Sequence, residues 1–94
     1  MAFWVYILRC SDGSYYTGHT DDLERRMAQH YTGELPCYAS IRLPVELVFS
    51  QEFQARAEAL ERERQIKGWS RGKKEALIRG DWAEMSRLAR GSTC

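Results

Sequence analysis

The segment Phe3 to Cys10 is a run of aromatic and aliphatic residues, broken only by Arg9, with no glycine or proline. Such a run suits a pleated surface and predicts a strand. Ser11-Asp12-Gly13-Ser14 follows at once, and an Asp-Gly pair is the strongest short hairpin signal. Tyr15 to Thr20 is then the returning strand.

Helix-start chemistry comes next. Thr20 or Asp21 can cap, and Asp21-x-x-Glu24 has capping-box spacing. Leu23 and Met27 begin an apolar stripe that predicts a helix to about Tyr31. Thr32-Gly33-Glu34-Leu35-Pro36 ends it, and the chain to Pro44 has loop chemistry. Val45, Leu47 and Phe49 alternate with Glu46, Val48 and Ser50, which predicts a third strand. From Gln54 the pattern turns helical, with no breaker before Gly68. Ser70 caps a shorter helix through Ala76, Leu77 and Ile78, closed by Gly80. Asp81-x-x-Glu84 opens a last helix over 81–90. The order of elements makes a mixed α+β domain.

The chain has 94 residues, room for one domain (1–94) but not two. Its 11.0 kDa corresponds to burial of roughly 65% of the unfolded surface, enough for one modest core. A hydrophobic content of 44% with 29% charged residues excludes disordered and collagen-like chains. No apolar run approaches the ~20 residues of a membrane span, and the start lacks a basic leader region. A soluble protein without membrane attachment is expected. Cys10, Cys37 and Cys94 are odd in number and form no C-x-x-C pair. They predict neither a zinc ribbon nor a secreted disulfide framework, and leave the cytoplasm as the expected compartment. Cys10 reads as a small core hydrophobe.

Net charge is +1, but unevenly spread. Residues 1–61 carry five basic and nine acidic side chains, and 62–94 carry nine basic and four acidic. The segment containing Arg62, Arg64, Lys67, Arg71, Lys73, Lys74 and Arg79 is either a solvated helical face or a surface for a polyanion.

Several groups fall where a core alone would not require them. Tyr6 and Tyr16 stand on opposite arms of the hairpin, as a cross-strand aromatic pair or as neighbouring phenols. Gly18 suggests a bulge or a close approach by another group. Arg26 and His30, at i and i+4, share one helix face, either as a solvated edge or as a grip on phosphate. Glu63, between Leu60 and Ile66, lies near a buried seam. A carboxylate there needs a salt-bridge partner such as Arg62, Arg64 or Lys67, or a cation.

Trp4-Val5-Tyr6-Ile7-Leu8, Tyr16-Thr17-Gly18, Leu23-x-x-Arg26-x-x-x-His30 and Glu58-Ala59-Leu60-x-x-Glu63-x-x-Ile66-Lys67 occur in that order. Together they resemble the GIY-YIG nuclease domain over about 3–78, closest to small stand-alone bacterial proteins of excinuclease-subunit-C-like type. The resemblance implies a three-stranded antiparallel sheet flanked by helices. It also implies hydrolysis of nucleic-acid phosphodiesters with one divalent cation, Mg2+ or Mn2+. Carried over by position, the catalytic set is Tyr6, Tyr16, Arg26, His30 and Glu63, with Glu63 the metal ligand. Gly18, His19, Arg25, Lys67, Lys73 and Lys74 fall to substrate binding. Either Tyr16 or His30 is the general base. DNA, branched or single-stranded and in a repair context, is favoured over RNA; a homodimer or a repair-protein partner stays open.

Three departures stand out. The first tripeptide lacks Gly-Ile, the chain contains no asparagine where several members use one, and no separate DNA-binding domain is expected. Two rival readings are a binding module of the same fold with weak or lost catalysis, and an adaptor using exposed aromatics such as Trp69 and Trp82. If the five catalytic positions act together, they should converge on one concave face.

Overall fold

A computed structural model describes residues 2–33 and 38–80. The strands are β1 (Phe3–Arg9), β2 (Tyr15–Thr20) and β3 (Glu46–Phe53), in one antiparallel sheet of order β2-β1-β3. The helices are α1 (Leu23–Thr32), α2 (Arg56–Lys67) and α3 (Arg71–Arg79), with a 3-10 turn at Tyr38–Ile41. The α+β class and the three-stranded sheet are as expected. The expected helix over 81–90 lies outside the described residues, as do Cys37, Trp82 and Cys94.

The central strand divides the core in two. Val5 and Ile7 point to one face, where they meet Ala59 and Ile66 of α2 and Ala76 and Leu77 of α3. Tyr6 and Leu8 point to the other, where they meet Met27 of α1, Ala39, Val45 and Cys10. Period-two alternation therefore gives α1 one side of the sheet and α2 with α3 the other. Ile66 is fully buried, and removing it to alanine would cost about 2–5 kcal/mol. Cys10 is buried, as expected of a small core hydrophobe.

Local chemistry fixes the boundaries. Gly13 takes the left-handed conformation (φ 84°) in the hairpin turn, where Ser14 donates its backbone N–H and its hydroxyl to the Asp12 carboxylate. The cap of α1 is Asp22, one residue later than expected, and it accepts from the Arg25 N–H. Thr20 cannot serve, because it is the last residue of β2 and its hydroxyl is engaged by the Asp22 backbone. Ser70 caps α3 and left-handed Gly80 closes it, as the sequence predicts. Strand β3 runs on to Phe53, past the expected Ser50, pairing along the whole of β1 with a register shift between Ile7 and Leu8. Its partner strand, rather than its own alternation, sets that length.

Candidate active site

Tyr6 sits on the central strand with no exposed surface. Its Cα partner on β2 is Gly18, whereas Tyr16 pairs with Leu8, so the two tyrosines are diagonal neighbours. Their ring centroids are 6.4 Å apart. A side chain at Gly18 would fall on this pair: an added Cβ would lie 2.5 Å from the Tyr6 oxygen and 3.2 Å from Tyr16 Cε1. The glycine thus reflects close approach, and the bulge of the sheet lies instead between β1 and β3.

Helix α1 supplies the third member. His30 is buried, and its Nε2 lies 2.8 Å from the Tyr6 hydroxyl. Its ring meets both tyrosine rings edge-on, with centroids 5.5 Å away in each case. Burial, and secondarily the charge of Arg26 one turn earlier, holds the imidazole pKa below its ordinary value. His30 is therefore neutral at neutral pH. With its proton on Nδ1, Nε2 accepts from the Tyr6 hydroxyl. Beside this cluster, Arg25, Arg26 and Gln29 line a polar cleft of about 230 Å3 with Thr20, Asp21 and Asp22.

Glu63 belongs to a second cluster. It projects from α2, and its Oε2 lies 2.7 Å from Nδ1 of His19. Lys67, one turn along, places Nζ 3.0 Å from Oε1. His19 and Tyr16 are an odd number of residues apart on β2, so they leave opposite faces of that edge strand. The five positions expected on one concave face thus fall into two groups that flank the edge strand β2. Tyr6, Tyr16 and His30 gather on the α1 side with Arg26 nearby, while Glu63, His19 and Lys67 gather on the α2 side. The sequence carried only the parity of positions 16 and 19; that α2 brings Glu63 to the His19 face is set by packing.

Among the described residues no three His, Cys, Asp or Glu side chains are grouped to enclose a metal ion. Glu63 nevertheless suits a hard cation. Magnesium dehydrates reluctantly and is commonly held by one or two carboxylates plus water. Lys67, half-exposed on a flexible stem, covers one oxygen and can be displaced. Lys73 sits with its Nζ 4.1 Å from the Trp69 ring centroid, and Arg62 places its guanidinium carbon 5.0 Å from the same centroid. Trp69 is partly buried against the α2–α3 core and not a free aromatic, which removes one of the two contacts expected of an adaptor. Lys74 lies in the first turn of α3, where its backbone N–H bonds Ser70.

The chain is similar to known proteins along most of its length. The GIY-YIG catalytic domain profile matches residues 2–76. A UPF0213 protein of Staphylococcus saprophyticus is 47% identical over 75 residues, covering 80% of this chain and 92% of its own. A UPF0213 protein of Halobacterium salinarum is 48% identical over 74 residues, covering 79% and 96%. The solution structure of a UPF0213 protein from Bacillus halodurans is 40% identical and aligns with a TM-score of 0.57 over 94% of this chain and 97% of that one.

Proposed function

The chain belongs to the GIY-YIG catalytic-domain family, and on that basis we propose that it is a nuclease hydrolysing DNA phosphodiester bonds with one divalent cation held at Glu63. The observation that carries the reading is the buried Tyr6–His30 hydrogen bond with Tyr16 against it. A core needs no such group of polar rings, since each buried polar atom must be satisfied at a cost in desolvation.

Exposure divides the roles. Tyr6 and His30 are both buried, so neither meets bulk water, whereas Tyr16 is half-buried at the rim of the cluster. Tyr16 is the general base that takes a proton from the attacking water. Arg26, one turn before His30, offsets the phosphate charge from the α1 side. Tyr6 holds its proton toward His30 and keeps the imidazole oriented. His19 fixes the Glu63 carboxylate. A divalent cation held at Glu63 would supply polarisation of a phosphate oxygen and positive charge to offset the leaving oxyanion. Substrate strands are held by Arg25, Lys67, Lys73 and Lys74 from the two sides of β2, with Gly18 keeping the tyrosines clear.

The Lys67–Glu63 ion pair favours a second reading, a DNA-binding module with weak catalysis, because the ammonium occupies the place a cation would take. Incubation with single-stranded, duplex and branched DNA, and with RNA, each with magnesium, manganese or chelator, separates the two. The nuclease reading expects metal-dependent cleavage of DNA. Binding without cleavage under both metals leaves the second reading.

A further inference from the structure

The elbow between α2 and α3 joins Lys73 to two side chains so far given no role, Arg62 and Trp69. Trp69 follows Gly68 in that elbow and packs partly against the core formed by Ile66, Ala76 and Leu77. Arg62 of α2 and Lys73 of α3 both reach its ring, at 5.0 and 4.1 Å from the centroid. Tryptophan is the best aromatic partner for a cation. One ring thus holds two long side chains from two different helices at one place on the surface. Arg62 bonds only an amide oxygen, that of Gln65, and among the described residues neither it nor Lys73 forms an ion pair with a carboxylate. Glu63 and Glu75, the acidic side chains on these two helices nearest the elbow, are taken by Lys67 and Arg71. Two positive charges are therefore ordered in advance but not neutralised.

We propose that this elbow is a docking surface for phosphate groups of a nucleic-acid strand, with Arg62 and Lys73 the phosphate contacts and Trp69 the positioning residue that holds them. The inference rests on the proposed nuclease reading for its class of ligand and adds the surface that holds the strand on the α2 side. Free lysine and arginine side chains lose rotamer freedom when they grip a phosphate; the ring reduces that loss because the side chains are ordered beforehand. Trp69 contributes no charge of its own. Its loss should therefore weaken binding without changing how many counterions binding releases.

The test is binding of a labelled twelve-residue oligothymidylate by the full chain across a salt series. Arg62→Gln with Lys73→Gln should make the log–log salt slope shallower by about 1.4, at about 0.7 per phosphate on a single strand. Trp69→Leu should raise Kd several-fold with the slope kept, and Trp69→Phe should restore most of the affinity. A double variant with the parent's slope and affinity overturns the docking surface, and it does so even if Trp69→Leu fails to fold. A folded Trp69→Leu protein with the parent's affinity overturns the positioning role. Cleavage of the same oligonucleotide is scored separately. A parent that cleaves beside an unaffected double variant sinks the elbow alone. A slope change while single-stranded, duplex and branched DNA all stay intact with magnesium and with manganese sinks the nuclease reading alone.

Discussion

Gly18 faces Tyr6 across the β1–β2 ladder so closely that an added Cβ would sit 2.5 Å from the phenolic oxygen. Tyr6 has no exposed surface and is bonded to His30, so it has little freedom to withdraw. Gly18→Ala should destabilise the protein by about 1–3 kcal/mol, the range for overpacking a filled site. It should also displace the tyrosines and reduce cleavage. Chemical denaturation measures the first effect; a variant as stable as its parent would show that the site has slack.

Tyr6→Phe removes only the hydroxyl that meets His30 Nε2. The ring packing stays, while a buried hydrogen bond is lost, at a cost of about 1–3 kcal/mol. Cleavage should fall more steeply than stability predicts, because the imidazole loses its orientation. Comparing melting temperature with rate for Tyr6→Phe checks this, and a variant with the parent's rate would make the bond purely structural.

His30 gives a pH signature. Its native pKa lies below the ordinary 6.5 because of burial first and the Arg26 charge second. Below about pH 6.5 the unfolded chain gains a proton that the native chain resists. Stability from this group is complete above that value and declines as pH falls toward the depressed native pKa. Melting temperature should therefore drop between pH 7 and 5, and less steeply in His30→Gln. Equal slopes in the two proteins would contradict a neutral buried imidazole.

Lys67 should act as a brake on cation binding. Lys67→Met frees Glu63 Oε1 while keeping the apolar stem. The ion pair involves a half-exposed ammonium, so stability should change by less than about 1 kcal/mol. The magnesium concentration for half-maximal cleavage should fall several-fold. A magnesium titration in which the variant needs more metal than the parent would remove Glu63 as the cation's ligand.

The hairpin was legible because Asp12-Gly13 has one good solution, and α3 was legible because Ser70 and Gly80 bracket it. The length of β3 was not, since Gln51 and Glu52 are exposed and reveal a strand only through their pairing with Val5 and Trp4. The tyrosine–histidine cluster followed from motif positions on three elements, β1, β2 and α1. The separation of Tyr16 from Glu63 depended on which helix covers which face of the sheet, a long-range property that no local pattern carries. The role of Trp69 was hidden for a different reason: its two cations come from separate helices, and only the turn between α2 and α3 brings Arg62 and Lys73 over one ring.

In the proposed reaction, DNA is cleaved by Tyr16 on one face of the edge strand β2 together with Glu63 on the other. The most direct measurement is cleavage of labelled single-stranded, duplex and branched DNA by the parent, Tyr16→Phe and Glu63→Gln proteins with magnesium. Both variants keep the shape of the side chain they alter. The parent should give products that vanish with chelator, and each variant should be slower by orders of magnitude while DNA binding is retained. Glu63→Gln cleaving like the parent, or DNA left intact by the parent with both magnesium and manganese, would contradict that reaction.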